Sequence, residues 1–278
     1  MTTNNRGGFL SRAIYNSGLG IPENLYYENT LIADSILKNP SNGGYSYPLA
    51  KIRADFPILS QKINGYPLVW LDNAATTQRP EAVIQRLKNY YERENSNIHR
   101  GAHTLSRLST DAYENARQRV ADFLNAERDE IVFTRGSTEG INLIANAYVK
   151  PLLKKKYRNG GEIIITVLEH HSNIVPWQLL ANQARAVVRV APVDCSGRII
   201  IDEYAKLFNK NTAFVSAAYV SNALGTIAPI KRMIDIAHEN GAAILVDGAQ
   251  AVSHMPVDLR GLDADFFVFS GHKIYAPT

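Results

Sequence analysis

Phe269-Ser270-Gly271-His272-Lys273 decides how this chain is read. The stretch closes the apolar run Asp265-Phe266-Phe267-Val268-Phe269, which predicts a buried strand. Upstream, Ala242-Ala243-Ile244-Leu245-Val246 is a second such run, and it ends in Asp247-Gly248-Ala249-Gln250. A lysine and an aspartate therefore each stand at the C-terminal end of a strand. That pair is what pyridoxal 5'-phosphate chemistry requires. The amine forms a Schiff base with the aldehyde, and the carboxylate keeps the pyridine nitrogen protonated so that the ring accepts electrons. Lys273 and Asp247 are the candidates for these roles. Singly, each also fits a surface lysine after a strand and an aspartate opening a loop; the pair favours the chemical reading.

Working back from this pair, the same alternation continues. Pro229 opens a helix that ends near Asn240-Gly241, and Ala213-Phe214-Val215-Ser216-Ala217 is a strand with Ser221-Asn222 beyond it. Val187-Val188-Arg189-Val190 and Glu162-Ile163-Ile164-Ile165-Thr166 are strands, the latter leading to Glu169-His170-His171-Ser172-Asn173 and a helix near Pro176-Trp177. A histidine just past a strand can lie against a cofactor ring and move protons, or serve as a hydrogen-bonded structural residue. Glu130-Ile131-Val132-Phe133-Thr134 reads as a further strand, followed by Arg135-Gly136-Ser137-Thr138-Glu139-Gly140 and a helix. A strand, a Gly-Ser-Thr turn and a helix N-terminus form an anion cradle; ordinary capping by Ser137 or Thr138 fits equally well. No GxGxxG or Walker lysine is present. Strands alternating with helices from about residue 130 predict an α/β fold: a mostly parallel sheet with helices on both faces. Ligands bind beyond the carboxyl ends of such strands. Ser137, His170, Asn222, Asp247 and Lys273 all stand at such ends, which predicts one site.

The first third of the chain is less regular. Met1 to about Pro48 is rich in Asn, Gly, Ser and Tyr, and predicts an extension over residues 1–50, partly disordered or a partner-binding arm, ahead of a cofactor domain over 51–278. Residues 1–20 carry Arg6 and Arg12 and no acid, a weak likeness to a transit segment. Leu68-Val69-Trp70-Leu71-Asp72 reads as a short strand, and Asn73-Ala74-Ala75-Thr76-Thr77 as a small-residue turn that lets backbone approach a ligand. Helices follow from Pro80 to about Arg93 and from about Thr104 to Leu124. Between them, His99, Arg100 and His103 suggest a polar pocket edge, but no carboxylate or cysteine completes a metal-ligand set there.

Composition bounds the rest. The 278 residues are 45% hydrophobic and 20% charged, which suits a globular core. No apolar run approaches the ~18 residues of a membrane span. The net charge is +4, and the dense basic run Lys154-Lys155-Lys156 reads as a solvated helix end rather than a nucleic-acid patch. The sole cysteine, Cys195, excludes an intrachain disulfide, fits a reducing, cytoplasmic compartment, and falls in a turn, Asp194-Cys195-Ser196-Gly197, away from the strand ends.

These motifs together resemble the class V aminotransferase-fold enzymes, and within them the cysteine desulfurases of the Suf iron–sulfur system and the closely similar selenocysteine lyases. The resemblance rests on Thr134 to Asn142, Glu169 to Trp177, Val246 to Gln250 and Ser270 to Lys273, supported by Leu71 to Ala75 and His99 to Ser106. It implies a large domain of fold-type-I pyridoxal phosphate enzymes acting as a homodimer. Lys273 would be the Schiff-base lysine and Asp247 the pyridinium partner. Gln250 would bond the ring oxygen, His170 would stack on the ring, and Asn222 would lie beside ring and substrate. Ser137, Thr138, Ser270 and His272 would hold the phosphate. The implied reaction releases sulfur from L-cysteine, or selenium from selenocysteine, leaves L-alanine and an enzyme persulfide, and passes sulfur to a SufE-like acceptor. In the family, a second, smaller domain beyond the lysine carries the nucleophilic cysteine and a substrate-clamping arginine; the chain is expected to be truncated before it. Another enzyme of the same fold, or an inactive fragment working through partner binding, is the alternative.

Overall fold

The computed structural model describes residues 48–157 and 160–277. The expected extension, including the transit-like stretch, lies almost wholly outside the described residues. From Arg53 onward the chain forms one compact unit.

Its centre is a five-stranded sheet. The strands are β1 (Glu162–Thr166), β2 (Val187–Ala191), β3 (Thr212–Ala218), β4 (Ala243–Asp247) and β5 (Phe266–Val268), in the spatial order β2-β1-β3-β4-β5. Every pairing is parallel. The runs are almost continuously apolar because both faces are covered. Alternate residues divide between two cores. Ile163, Ile165, Phe214, Leu245 and Val268 pack with Ile141, Val149, Trp177 and Leu180 on one face. Ile164, Val215, Ala217, Ile244 and Val246 pack with Leu124, Tyr204, Met233 and Ile234 on the other.

The helices follow from the same pattern. From residue 81 onward they are α1 (Glu81–Asn89), α2 (Thr104–Leu124), α3 (Ser137–Ile144), α4 (Lys150–Lys156), α5 (Val175–Ala184), α6 (Ile201–Lys206), α7 (Ile230–Glu239) and α8 (Leu259–Leu262). A wider π-type turn, Ala145–Val149, joins α3 to α4. Pro80 precedes α1 and Pro229 precedes α7, where a missing N–H leaves no orphan donor. From β1 the chain crosses to β2 at one edge, then returns past β1 to β3. Neighbouring loops diverge at that reversal and open a crevice at the carboxyl ends.

Two expected strands are not strands. Leu68 to Asp72 is loop, with Val69 and Leu71 exposed. Arg128–Glu130 is a single helical turn closed by reciprocal Glu127–Glu130 capping, and Ile131 to Thr134 runs on without a paired neighbour among the described residues. Both runs have strand-like composition, but a strand requires a hydrogen-bonding partner, which composition does not supply.

Candidate active site

Four strand ends and one helix end converge on a cavity of about 490 Å³. It is lined by all nine residues singled out from the sequence: Ser137, Thr138, His170, Asn222, Asp247, Gln250, Ser270, His272 and Lys273.

Asp247 ends β4, pairing with Ala218 of β3 and Val268 of β5 in the last rung of the sheet. It is 5% exposed. One carboxylate oxygen accepts the Ala249 N–H at 3.0 Å; the other has no hydrogen-bond donor among the described residues. Burial pushes this carboxyl above the usual range, while the Ala249 N–H and the charges of Lys273 and His170 hold it down. Gly248 comes next because an added Cβ would lie 1.9 Å from the Phe267 ring.

Lys273 closes the single turn Gly271–Lys273 that follows β5. The amine is half-buried; burial lowers its pKa below the ordinary lysine value and Asp247 pulls it back up. The turn is anchored from the opposite side by the small-residue loop. The His272 carbonyl accepts from the Thr77 N–H at 3.1 Å, the Thr77 hydroxyl at 3.0 Å and Arg79 at 3.3 Å. Tyr275 N–H in turn donates to the Thr77 hydroxyl at 2.9 Å. Burial, then the charges of Lys273 and Arg79, lower the His272 imidazole pKa. The same loop presents Asp72, Ala74 and Ala75 to the cavity, and Gln250 donates to the Ala74 carbonyl at 2.8 Å.

Across the cavity, α3 begins at Ser137 after Gly136, whose φ of 90° and ψ of 179° are close to glycine-only. The Ser137 N–H donates to the Ser270 hydroxyl at 3.0 Å, and the two hydroxyls lie 2.8 Å apart. A helix N-terminus, two facing hydroxyls, Thr138 and His272 make a donor-rich corner suited to an anion. His170 follows β1, where its Nδ1 accepts the Ser172 N–H at 3.2 Å, so the neutral ring carries its proton on Nε2. Asn222 tops a loop closed by the Ser221 N–H to Thr226 carbonyl bond at 2.9 Å.

Other polar residues stay outside. The His99 ring is 2.8 Å from Glu114, and His103 caps α2 by accepting the Ser106 N–H at 3.3 Å. Neither of them, nor Arg100, lines the cavity, which corrects the expected polar pocket edge. Their composition fits a polar site, but α2 capping takes up His103 and the contact with Glu114 takes up His99. No metal-ligating cluster occurs among the described residues. Cys195 is exposed in its turn, away from the cavity. Sequence reasoning missed Ala218 and Val220, which line the cavity, and Arg79, which bonds the His272 carbonyl; Arg79 and Ala218 carry no local signal, because only tertiary contacts give them these places.

The donor set fits pyridoxal phosphate. The anion corner, the half-buried amine and the buried carboxylate with one free oxygen stand around one cavity, as phosphate, aldehyde and ring nitrogen require.

The sequence pattern of the family described as aminotransferase class-V matches residues 69–278. A cysteine desulfurase of Synechococcus elongatus is 55% identical over 239 residues, which cover 86% of this chain and 38% of that protein. One from Escherichia coli O8 is 47% identical, covering 84% of this chain and 57% of that protein. The chain thus spans between about a third and just over half of such relatives. Among solved structures, the apo cysteine desulfurase of Thermococcus onnurineus NA1 superposes with a TM-score of 0.75 at 36% identity, over 84% of this chain and 56% of that one. The S-sulfonic acid form of CsdA from Escherichia coli gives 0.72 at 37% identity, over 84% and 57%.

Proposed function

Because the chain belongs to the class V aminotransferase family, whose enzymes depend on pyridoxal phosphate, we propose that it is the cofactor-binding part of a cysteine desulfurase. The observation that carries the proposal is Asp247: a buried carboxylate with one uncommitted oxygen, across the same cavity from a lysine whose amine is depressed by burial. Desolvating a carboxylate without a second partner is unfavourable, and a cationic ring N–H relieves it.

Ser137, Thr138, Ser270 and His272 would hold the phosphate, Lys273 the aldehyde carbon, and Asp247 the ring nitrogen. Gln250 and Asn222 would flank the ring, and His170 would cover it. When bound, the cofactor supplies an electron sink for charge leaving the substrate Cα. The chain supplies the proton traffic. The lowered pKa of Lys273 raises the fraction of free amine that takes a proton at Cα. His170, with its proton on Nε2, can hold or return one at the cavity mouth. Sulfur leaves L-cysteine when a thiolate takes it, giving L-alanine and a persulfide. Cys195 lies outside the cavity, so we assign that thiolate to a further segment of the full-length protein. The relatives named cysteine desulfurase support L-cysteine as substrate. Sulfur delivery to iron–sulfur assembly through a SufE-like acceptor, a homodimer and a cytoplasmic setting complete the proposal, with selenocysteine as the alternative substrate.

Borohydride reduction of the chain incubated with pyridoxal phosphate, followed by peptide mapping, tests it. The pyridoxyl group is expected on Lys273 and is lost in Lys273→Ala; a label on another lysine refutes the assignment.

A further inference from the structure

Glu169 stands one residue before His170, behind the cavity wall, and is 7% exposed. Three donors converge on its carboxylate. Oε1 accepts from the Thr166 hydroxyl at 2.6 Å and the Ala218 N–H at 2.9 Å, and Oε2 accepts from the Asn173 side chain at 2.5 Å. The carbonyl oxygen of that Asn173 side chain accepts from the Trp177 indole at 2.9 Å and the Ser216 hydroxyl at 2.6 Å. One acid therefore gathers donors from the end of β1, the end of β3 and the turn into α5. Two residues beside this network line the cavity: His170, the chain neighbour of Glu169, and Ala218, the register partner of Asp247.

We infer that Glu169 is a positioning residue that fixes His170 and the end of β3 around the cavity. A glutamine cannot replace it. Asn173 is oriented by Trp177 and Ser216, so it presents only its NH₂ to residue 169, and Ala218 presents only N–H. In either orientation a glutamine amide sets its own NH₂ against one of these donors. A buried donor left without an acceptor disrupts the network. Burial raises the Glu169 pKa to about 7, and the charge of Asp247 adds to that effect.

The inference rests on the proposed cofactor pocket for its consequence, but not for its geometry, and the experiment separates the two. In the 278-residue chain, the ring titration of His170 is followed by NMR without added cofactor, and binding of pyridoxal phosphate and of inorganic phosphate is measured alongside. Glu169→Gln is expected to shift the His170 titration, weaken pyridoxal phosphate about tenfold and leave inorganic phosphate binding unchanged. Thr166→Val shifts them partially and Thr166→Ser restores wild-type values; this pair decides the matter where Glu169→Gln does not fold. An unmoved His170 titration, or equal losses for both ligands, overturns the inference. Failure of the wild type to bind pyridoxal phosphate overturns the proposed function instead, and the His170 titration still decides the role of Glu169.

Discussion

At the scale of single residues, the cavity wall carries one buried acid, Asp247, and a second, Glu169, lies behind it; a fold optimised for stability alone would avoid both. Asp247 has one hydrogen bond where a buried carboxylate can accept several. Asp247→Asn keeps the bond from Ala249 and removes a buried charge, so the thermal midpoint is expected to hold or rise. Exchange of the Cα proton of L-cysteine by the cofactor-loaded protein is expected to fall about 100-fold or more, since a buried ion pair that loses one member forfeits about 3–5 kcal/mol. Unchanged exchange would falsify the assigned role. Glu169 gives a pH signature. Its folded pKa, about 7, lies above the ordinary 4.5, so the folded chain keeps a proton that the unfolded chain releases. The stabilisation is fully present below about pH 4.5 and is lost as the pH rises through about 7, an effect of about 3 kcal/mol. Asp247 acts with the same sign. Urea unfolding at pH 5 and pH 8 is expected to show a steeper decline for wild type than for Glu169→Gln; parallel profiles would sink this account.

At the scale of elements, the start of α3 is set by Gly136. A side chain there meets a backbone conformation that L-residues rarely adopt and a Ser270 hydroxyl 3.3 Å from its Cβ. Gly136→Ala is expected to lower stability by about 1–3 kcal/mol and to weaken phosphate binding, because the Ser137–Ser270 contact must shift. Denaturant titration and phosphate binding check both effects, and a variant with wild-type phosphate affinity would remove the anion corner from the site. The five sheet strands were legible because each is a short apolar run between turn signals. Leu68 to Asp72 and Glu130 to Thr134 carry the same composition yet form no strand, although the Leu68 N–H donates to the Gln61 carbonyl at 2.9 Å. The converse miss is the small hairpin of Lys62–Ile63 and Tyr66–Pro67. Its Asn64-Gly65 turn, with both φ values positive, is a strong local signal that the larger pattern obscured.

At the scale of the molecule, several large apolar side chains face outward, among them Leu71 at 87%, Val69 at 72% and Val132 at 65%. A second cavity of about 780 Å³ lies along β5, lined by Ile131, Val132, Leu143, Tyr148 and Phe266 among others. Apolar surface of this kind drives association. The isolated chain is expected to sediment with concentration-dependent mass. The exposed substitutions Leu71→Lys and Val132→Lys are expected to reduce that dependence without changing the thermal midpoint. With Cys195 outside the cavity, the loaded chain is expected to release little alanine from L-cysteine, and Cys195→Ser to change nothing; a large loss in that variant would make Cys195 the nucleophile.

The sequence by itself determined the parallel α/β order and the identity of the cavity's chemical groups. Both are local: an apolar run followed by Asp247, His170 or Lys273 marks a strand end wherever the strand comes to lie. Only the tertiary structure decided which runs became strands, that His99 and His103 serve α2 rather than the cavity, and that Glu169 braces it. Those outcomes depend on contacts between residues far apart in the chain, such as Glu169 with Ala218 and Thr77 with His272. Hydrogen-bond partners at that separation are set by how the layers pack, which no window of sequence contains.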